Sequence, residues 1–161
     1  MIRTALLSIV LISFLFIFSS GIFRIKNQIN QSFTDSLEAD RLKYMNQVME
    51  SIKGKEKLRA DSVFKNLKVI VGKSSISAEH LLWMMNYGWS AELGVSCSHC
   101  HIPGKWDSDS LGTKEIARGM WKMRVLINSE ILPSITGKDY WQNPKVSCIT
   151  CHRGKAVPDA F

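Results

Sequence analysis

Two pentapeptides constrain this chain more than anything else in it: Cys97-Ser98-His99-Cys100-His101 and Cys148-Ile149-Thr150-Cys151-His152. Both read C-x-x-C-H, and together they use all four cysteines of the chain. Two thiols three residues apart lie on one helical turn, where they add across the two vinyl groups of a single porphyrin. The histidine that follows presents its imidazole to the iron from the proximal side. The spacing is therefore that of covalent c-type haem attachment. A four-cysteine zinc site or a pair of redox dithiols also uses C-x-x-C, but neither needs a histidine directly after each pair. With four His in 161 residues, chance places one at both positions roughly once in 1,600. The expectation is two covalently bound haem c groups, attached at Cys97, Cys100 and His101 and at Cys148, Cys151 and His152. A zinc-stabilised interaction module is the rival.

If each haem is an electron carrier, its iron needs a ligand on the opposite face. Two histidines remain. His99 sits inside the first attachment loop, where its ring cannot reach over the porphyrin, and His80 is a minor candidate. Seven methionines are available, and Met/His ligation is a known c-type arrangement. Ser77 reads as the N-cap of a helix over AEHLLWMMNYGWSAEL. Ala78, Leu81, Leu82, Met85 and Trp89 recur on one apolar face of it. Met85 lies on that face, and Met84, on the side of His80 and Tyr87, is the alternative. A second helix opens at Thr113. Its stripe is Ile116, Met120, Met123 and Ile127, and periodicity does not separate Met120 from Met123. Core packing is the plain use of any such methionine, but each helix ends shortly before an attachment motif.

The first residues bear on the compartment. Arg3 precedes twenty uncharged residues, 4–23, rich in Leu, Ile and Phe. At 1.5 Å per residue the run is about 30 Å long, enough to span a bilayer. Residues 1–26 thus read as a signal peptide or membrane anchor, which places the rest on the periplasmic side of a bacterial membrane. Residues 27–60 read as an amphipathic helix and a basic linker: Asp35 and Glu38 resemble a capping box, Leu42, Met45, Met49 and Ile52 make a stripe, and Gly54 is a C-cap. Residues 53–73 hold seven Lys and Arg, a solvated stretch or a docking patch. Residues 61–161 form the third segment. Little in them reads as strand, so the fold expected is all-α, a small dihaem domain of helix–turn–CxxCH repeats with an N-terminal hydrophobic helix. Its tryptophans (83, 89, 106, 121 and 141) pack around the porphyrins. The formal net charge of +7 falls towards +3 if four haem propionates ionise, with Arg118, Arg124 and Arg153 as local partners. That weakens a nucleic-acid reading.

The stretches FKNLKVI (64–70), ISAEHLLWMM (76–85), LGVSCSHCH (93–101), EIARGMWKMRVLIN (115–128) and VSCITCHRG (146–154) carry a resemblance. The chain resembles the cytochrome subunit of bacterial photosynthetic reaction centres and the similar haem c proteins of non-phototrophic bacteria. The reaction-centre subunit binds four haems in a chain about twice as long, so this sequence resembles one half of it. The resemblance implies that the first Met after the Ala-Arg pair, Met120, ligates one iron. It also implies that the Met four residues after Leu81, Met85, ligates the other. The segment from Met85 to Leu93 is about one residue longer than the family's. The implied role is single-electron transfer between donor and acceptor proteins, membrane-bound redox complexes among them, in which no residue acts as acid, base or nucleophile. The rival of a different class is a dihaem peroxidase, with one iron left open.

Overall fold

The computed structural model describes residues 31–70, 76–135 and 145–159, together with Arg24 and Gln28. The hydrophobic run at 4–23, expected as an N-terminal helix, lies outside the described residues, as does Trp141. Among the described residues no helix is long and apolar enough to cross a membrane. The chain divides into two compact units, Met1–Ser36 and Leu37–Phe161. In the first, residues 31–36 are helical and Gln31 donates to the Asp35 carboxylate at 3.4 Å. Asp35 is thus inside helical structure and not at the start of a helix, because Gln31 gives its carboxylate a partner one turn back.

The second unit opens with helix α1, residues 37–51. It turns Val48 and Ile52 inward and ends at Gly54, whose φ of +80° is the left-handed conformation a helix terminus favours. A short helix α2, Ala60–Val63, follows. Ala60 N–H donates to the Ile76 carbonyl and Ala78 N–H to the Leu58 carbonyl, both at 2.9 Å. These bonds dock α2 on the start of α3, Ala78–Trp83. Ala78 is fully buried there, since only a small side chain lets the backbones approach this closely. Val48, Ile52, Ala60, Ala78 and Leu81 are the apolar core of this corner.

Ser77 caps α3 as its sequence predicts, accepting from His80 N–H at 3.2 Å. The helix then widens into a seven-residue π-helix, Met84–Ser90, and closes with α4, Ala91–Leu93, before Gly94 stops it at φ +62°. A π-turn seats one more residue than an α-turn. The first motif forms a 3-10 turn, Cys97–His99. Helix α5, Gly112–Leu126, continues through a second π-turn, Ile127–Ile131, into α6, Leu132–Ile135. Pro133 lies just past that widened turn, where its missing N–H and its ring are accommodated without breaking the helix. The second motif is a helix of its own, α7, Cys148–His152, with Ser147 and Thr150 in a reciprocal capping box. Among the described residues there are no strands, only isolated bridges at Arg59–Ser77 and Ile102–Lys105.

The predicted stripe of α5 faces the other way from a core stripe. Ile116, Met120 and Met123 are exposed, and the buried positions are Lys114 and Arg118. Long cationic side chains can face inward because their stems are apolar and their heads find partners. Arg118 donates to Asp109 and to Glu115, both at 2.8 Å. It is therefore already paired within the chain.

Candidate functional site

The face predicted on α3 comes together with the first motif around one cavity of about 420 Å3. Leu81, Leu82, Met85 and Trp89 line it from the α3 run, Cys97, Cys100 and His101 from the motif, and Ala117 and Arg118 from α5. Met84 does not line it. Tyr44, Met45 and Val48 of α1 form another wall. The volume is in the range of cofactor pockets, roughly 300–1,000 Å3. His80 and His99 are both exposed.

The first attachment turn is held from both sides. Ser96 donates to the Asp40 carboxylate of α1. Thr113 Oγ1, at the start of α5, donates to the His99 carbonyl at 2.5 Å. Burial raises the pKa of the Cys97 and Cys100 thiols, with the Asp40 charge adding to it at Cys97. His101 is held by a single contact of consequence: its Nδ1 lies 2.8 Å from the Trp106 carbonyl oxygen. A carbonyl only accepts, so Nδ1 carries the proton and Nε2 of the neutral ring keeps its lone pair. Burial pushes the imidazole pKa down, and the charges of Lys114 and Arg118 do the same, against the pull of the Trp106 carbonyl. Both effects favour the neutral ring, the form in which imidazole binds a metal.

The second motif repeats the device. His152 Nδ1 lies 2.9 Å from the Lys155 carbonyl, which leaves its Nε2 free in the same way. Cys148 is half-buried and Cys151 exposed, and burial followed by the Glu92 charge raises the Cys148 pKa. The approach to α7 is fastened to α5: Asn128 donates to the Val146 carbonyl and accepts from Val146 N–H at 2.9 and 2.8 Å, and Arg124 Nε donates to the same carbonyl at 3.2 Å. Arg124 also stacks over the Trp121 ring, and Trp121 meets Trp89 with centroids 4.9 Å apart. α5 and the π-turn after it thus reach the first motif and the approach to the second.

The second motif also packs against α4, just before the first motif. Ile149 N–H, in the first turn of α7, donates to the Glu92 carboxylate at 2.9 Å, and Gly154 N–H donates to the Glu92 carbonyl at 3.1 Å. Gly94 approaches so closely that a Cβ on it would overlap the Gly154 carbonyl oxygen.

The residues fit a haem by their chemistry: one mostly apolar cavity presents two thiols and an imidazole with a free Nε2. Asn86, 3% exposed and lining the cavity, has its side-chain oxygen buried with no hydrogen-bond partner among the described residues. That oxygen is an acceptor, which a water or another donor would satisfy and an ionised propionate would not. Sequence reasoning passed over Asn86, Tyr44, Met45 and Lys114. Met45 stood on the predicted α1 stripe and was recoverable from it, whereas the buried Lys114 carries no local signal.

Comparison with known proteins agrees with this arrangement. Residues 22–161 match the family model of the photosynthetic reaction centre cytochrome C subunit. The chain is 30% identical over 115 residues to the photosynthetic reaction center cytochrome c subunit of Thermochromatium tepidum, covering 70% of this chain and 26% of that protein. It is 34% identical over 87 residues to cytochrome c-554 of Chloroflexus aurantiacus, covering 54% and 20%. With the corresponding subunit of Rubrivivax gelatinosus it shares 31% identity over 100 residues, 62% and 25% of the two chains. The matched region is thus about a quarter or less of each relative's length. Two histidines with free Nε2 atoms, each beside its cysteine pair, and a family match over most of the sequence lead to one conclusion: the chain belongs to the photosynthetic reaction centre cytochrome c subunit family, a family of electron-transfer proteins and not of enzymes.

Proposed function

We propose that this protein is an exported dihaem c-type cytochrome that passes single electrons between redox proteins at the periplasmic face of the membrane. Residues 1–26 hold it there as an anchor, or are removed to leave a soluble carrier. The observation that carries the reading is the repeated histidine geometry, Nδ1 on a backbone carbonyl and Nε2 free, directly after each Cys-x-x-Cys. Cys97 and Cys100 would hold one haem and Cys148 and Cys151 the other, with His101 and His152 as proximal ligands. Met85 would be the distal ligand at the first site and Met120 at the second, with Met84 and Met123 as the alternatives at each. Bound haem c supplies a one-electron iron couple. The chain fixes the imidazole tautomer, lines the first site with the apolar Leu81, Leu82 and Trp89, and ties the second attachment turn to α4 through Glu92.

Intact-mass analysis tests this directly. Protein made in a host with haem-attachment machinery should carry two haem masses, and the variant with Cys148→Ala and Cys151→Ala should carry one. A wild-type chain with no added haem mass overturns the proposal and returns the colourless zinc module. Carbon monoxide tests the second alternative: a reduced wild-type protein that binds it at one iron has the open position of a peroxidase.

A further inference from the structure

We infer that Lys114 tunes the reduction potential of the haem attached at Cys97 and Cys100, by sharing the Trp106 carbonyl with His101; this rests on the dihaem reading above. Lys114 stands in the first turn of α5 and is 9% exposed. Its Nζ donates to the Trp106 carbonyl at 3.0 Å and to the Ser108 carbonyl at 2.8 Å. The Trp106 oxygen is the one that accepts from His101 Nδ1 at 2.8 Å. A carbonyl oxygen has two lone pairs and can serve both donors, but an ammonium on one draws electron density from the other.

The consequence follows from the metal's second shell. The more strongly Nδ1–H is held, the more anionic the imidazole becomes, and a more anionic ligand favours ferric iron. Lys114 weakens that hold, so it favours ferrous iron and keeps the potential up. The nearest counter-charge is Asp109, 3.4 Å from Lys114 Nζ. That carboxylate is shared with Lys68 at 2.6 Å and Arg118 at 2.8 Å, while Glu115 is taken by Arg118. Lys114 is therefore not neutralised by a carboxylate of its own. At the second motif the accepting carbonyl belongs to Lys155, whose ammonium is drawn off to Asp159 at 2.6 Å. The two sites differ in this respect, and the device acts on one haem.

The test is spectropotentiometry of the full dihaem protein for Lys114→Met, Lys114→Gln and Lys114→Arg. The Met variant should lower one of the two potentials, with electron exchange between the haems moving by up to about tenfold, about 59 mV for one electron. The other potential stays in place, as does the six-coordinate spectrum. The Gln variant should fall part of the way and the Arg variant should stay near wild type. In the reduced, diamagnetic protein the His101 Nδ1 proton should shift downfield in the Met variant, the mark of a stronger hydrogen bond. If the Met variant does not load haem, a lower potential for Gln than for Arg supports the inference and equal values overturn it. Unchanged potentials in a Met variant carrying two haems overturn it while leaving the dihaem reading intact. Equal falls in both potentials also overturn it, because they report a general loosening. A wild-type chain without haem overturns both.

Discussion

At the scale of single residues, the sharpest expectations concern sulfur. Met85→Ala should open the first haem to carbon monoxide in the reduced protein and lower its potential, since loss of a thioether favours ferric iron. Met84→Ala should do neither, and the paired comparison of Met120→Ala with Met123→Ala reads the second site in the same way. Met45 also lines the first cavity, so Met45→Ala is the control: if it opens the haem and Met85→Ala does not, the ligand comes from α1. The place of Met85 on the cavity wall was legible in the sequence, because the apolar phase that Ala78, Leu81 and Leu82 set in α3 carries into the start of the π-helix. The inward face of α5 was not, because Lys114 and Arg118 occupy it and a search for apolar period passes over buried cations. Asp109 shows what those cations do. Arg118 first, then Lys68, hold its carboxyl well below the usual carboxylate range. A depressed folded-state pKa contributes stability above the unfolded value and loses it as pH falls towards the folded one. Asp109→Asn should therefore lower the urea midpoint at neutral pH. Its gap from wild type should close progressively between about pH 5 and pH 1, and a gap that stays constant over that window counts against the assignment.

At the scale of elements, caps and turns were readable and changes of helical pitch were not. Ser77 and Gly54 announced their roles by residue type alone. Nothing in MMNYGWS or INSEI announces a π-turn, because i→i+5 bonding leaves no side-chain signature of its own. Gly94 has two independent reasons to be glycine, its φ of +62° and the Gly154 carbonyl against it. Gly94→Ala should cost about 1–3 kcal/mol and push the end of α7 away from α4, seen as a lower melting temperature. Gly119→Ala is the opposite case: it is exposed, helical, with nothing near the added methyl. It should stabilise the protein by about 0.5–1 kcal/mol, measured as a rise in the denaturation midpoint.

At the scale of the whole molecule, an all-helical reading was available from the absence of alternating runs, but the division of labour between helices was not. The stretch before residue 61 looked like a helix and linker beside the domain, yet α1 supplies a wall of the first cavity, because Tyr44, Met45 and Val48 find more apolar surface there than in water. The basic stretch, read as solvated or as a docking patch, keeps Lys53, Lys57, Arg59 and Lys68 exposed, and each of them meets a carboxylate within the chain. For the membrane, the expected outcome is that the protein sediments with the membrane fraction. N-terminal sequencing that starts near Gly21 or Ile22 would instead identify a freely diffusing carrier. The joint between Glu92, Gly94 and the end of α7 sets an order in time. Glu92 and Ile149 stand 57 residues apart in the chain, and a chain is made from its N-terminus. α4 therefore exists long before Ile149 and Gly154 do, and its contact with α7 is among the last that a growing chain can make.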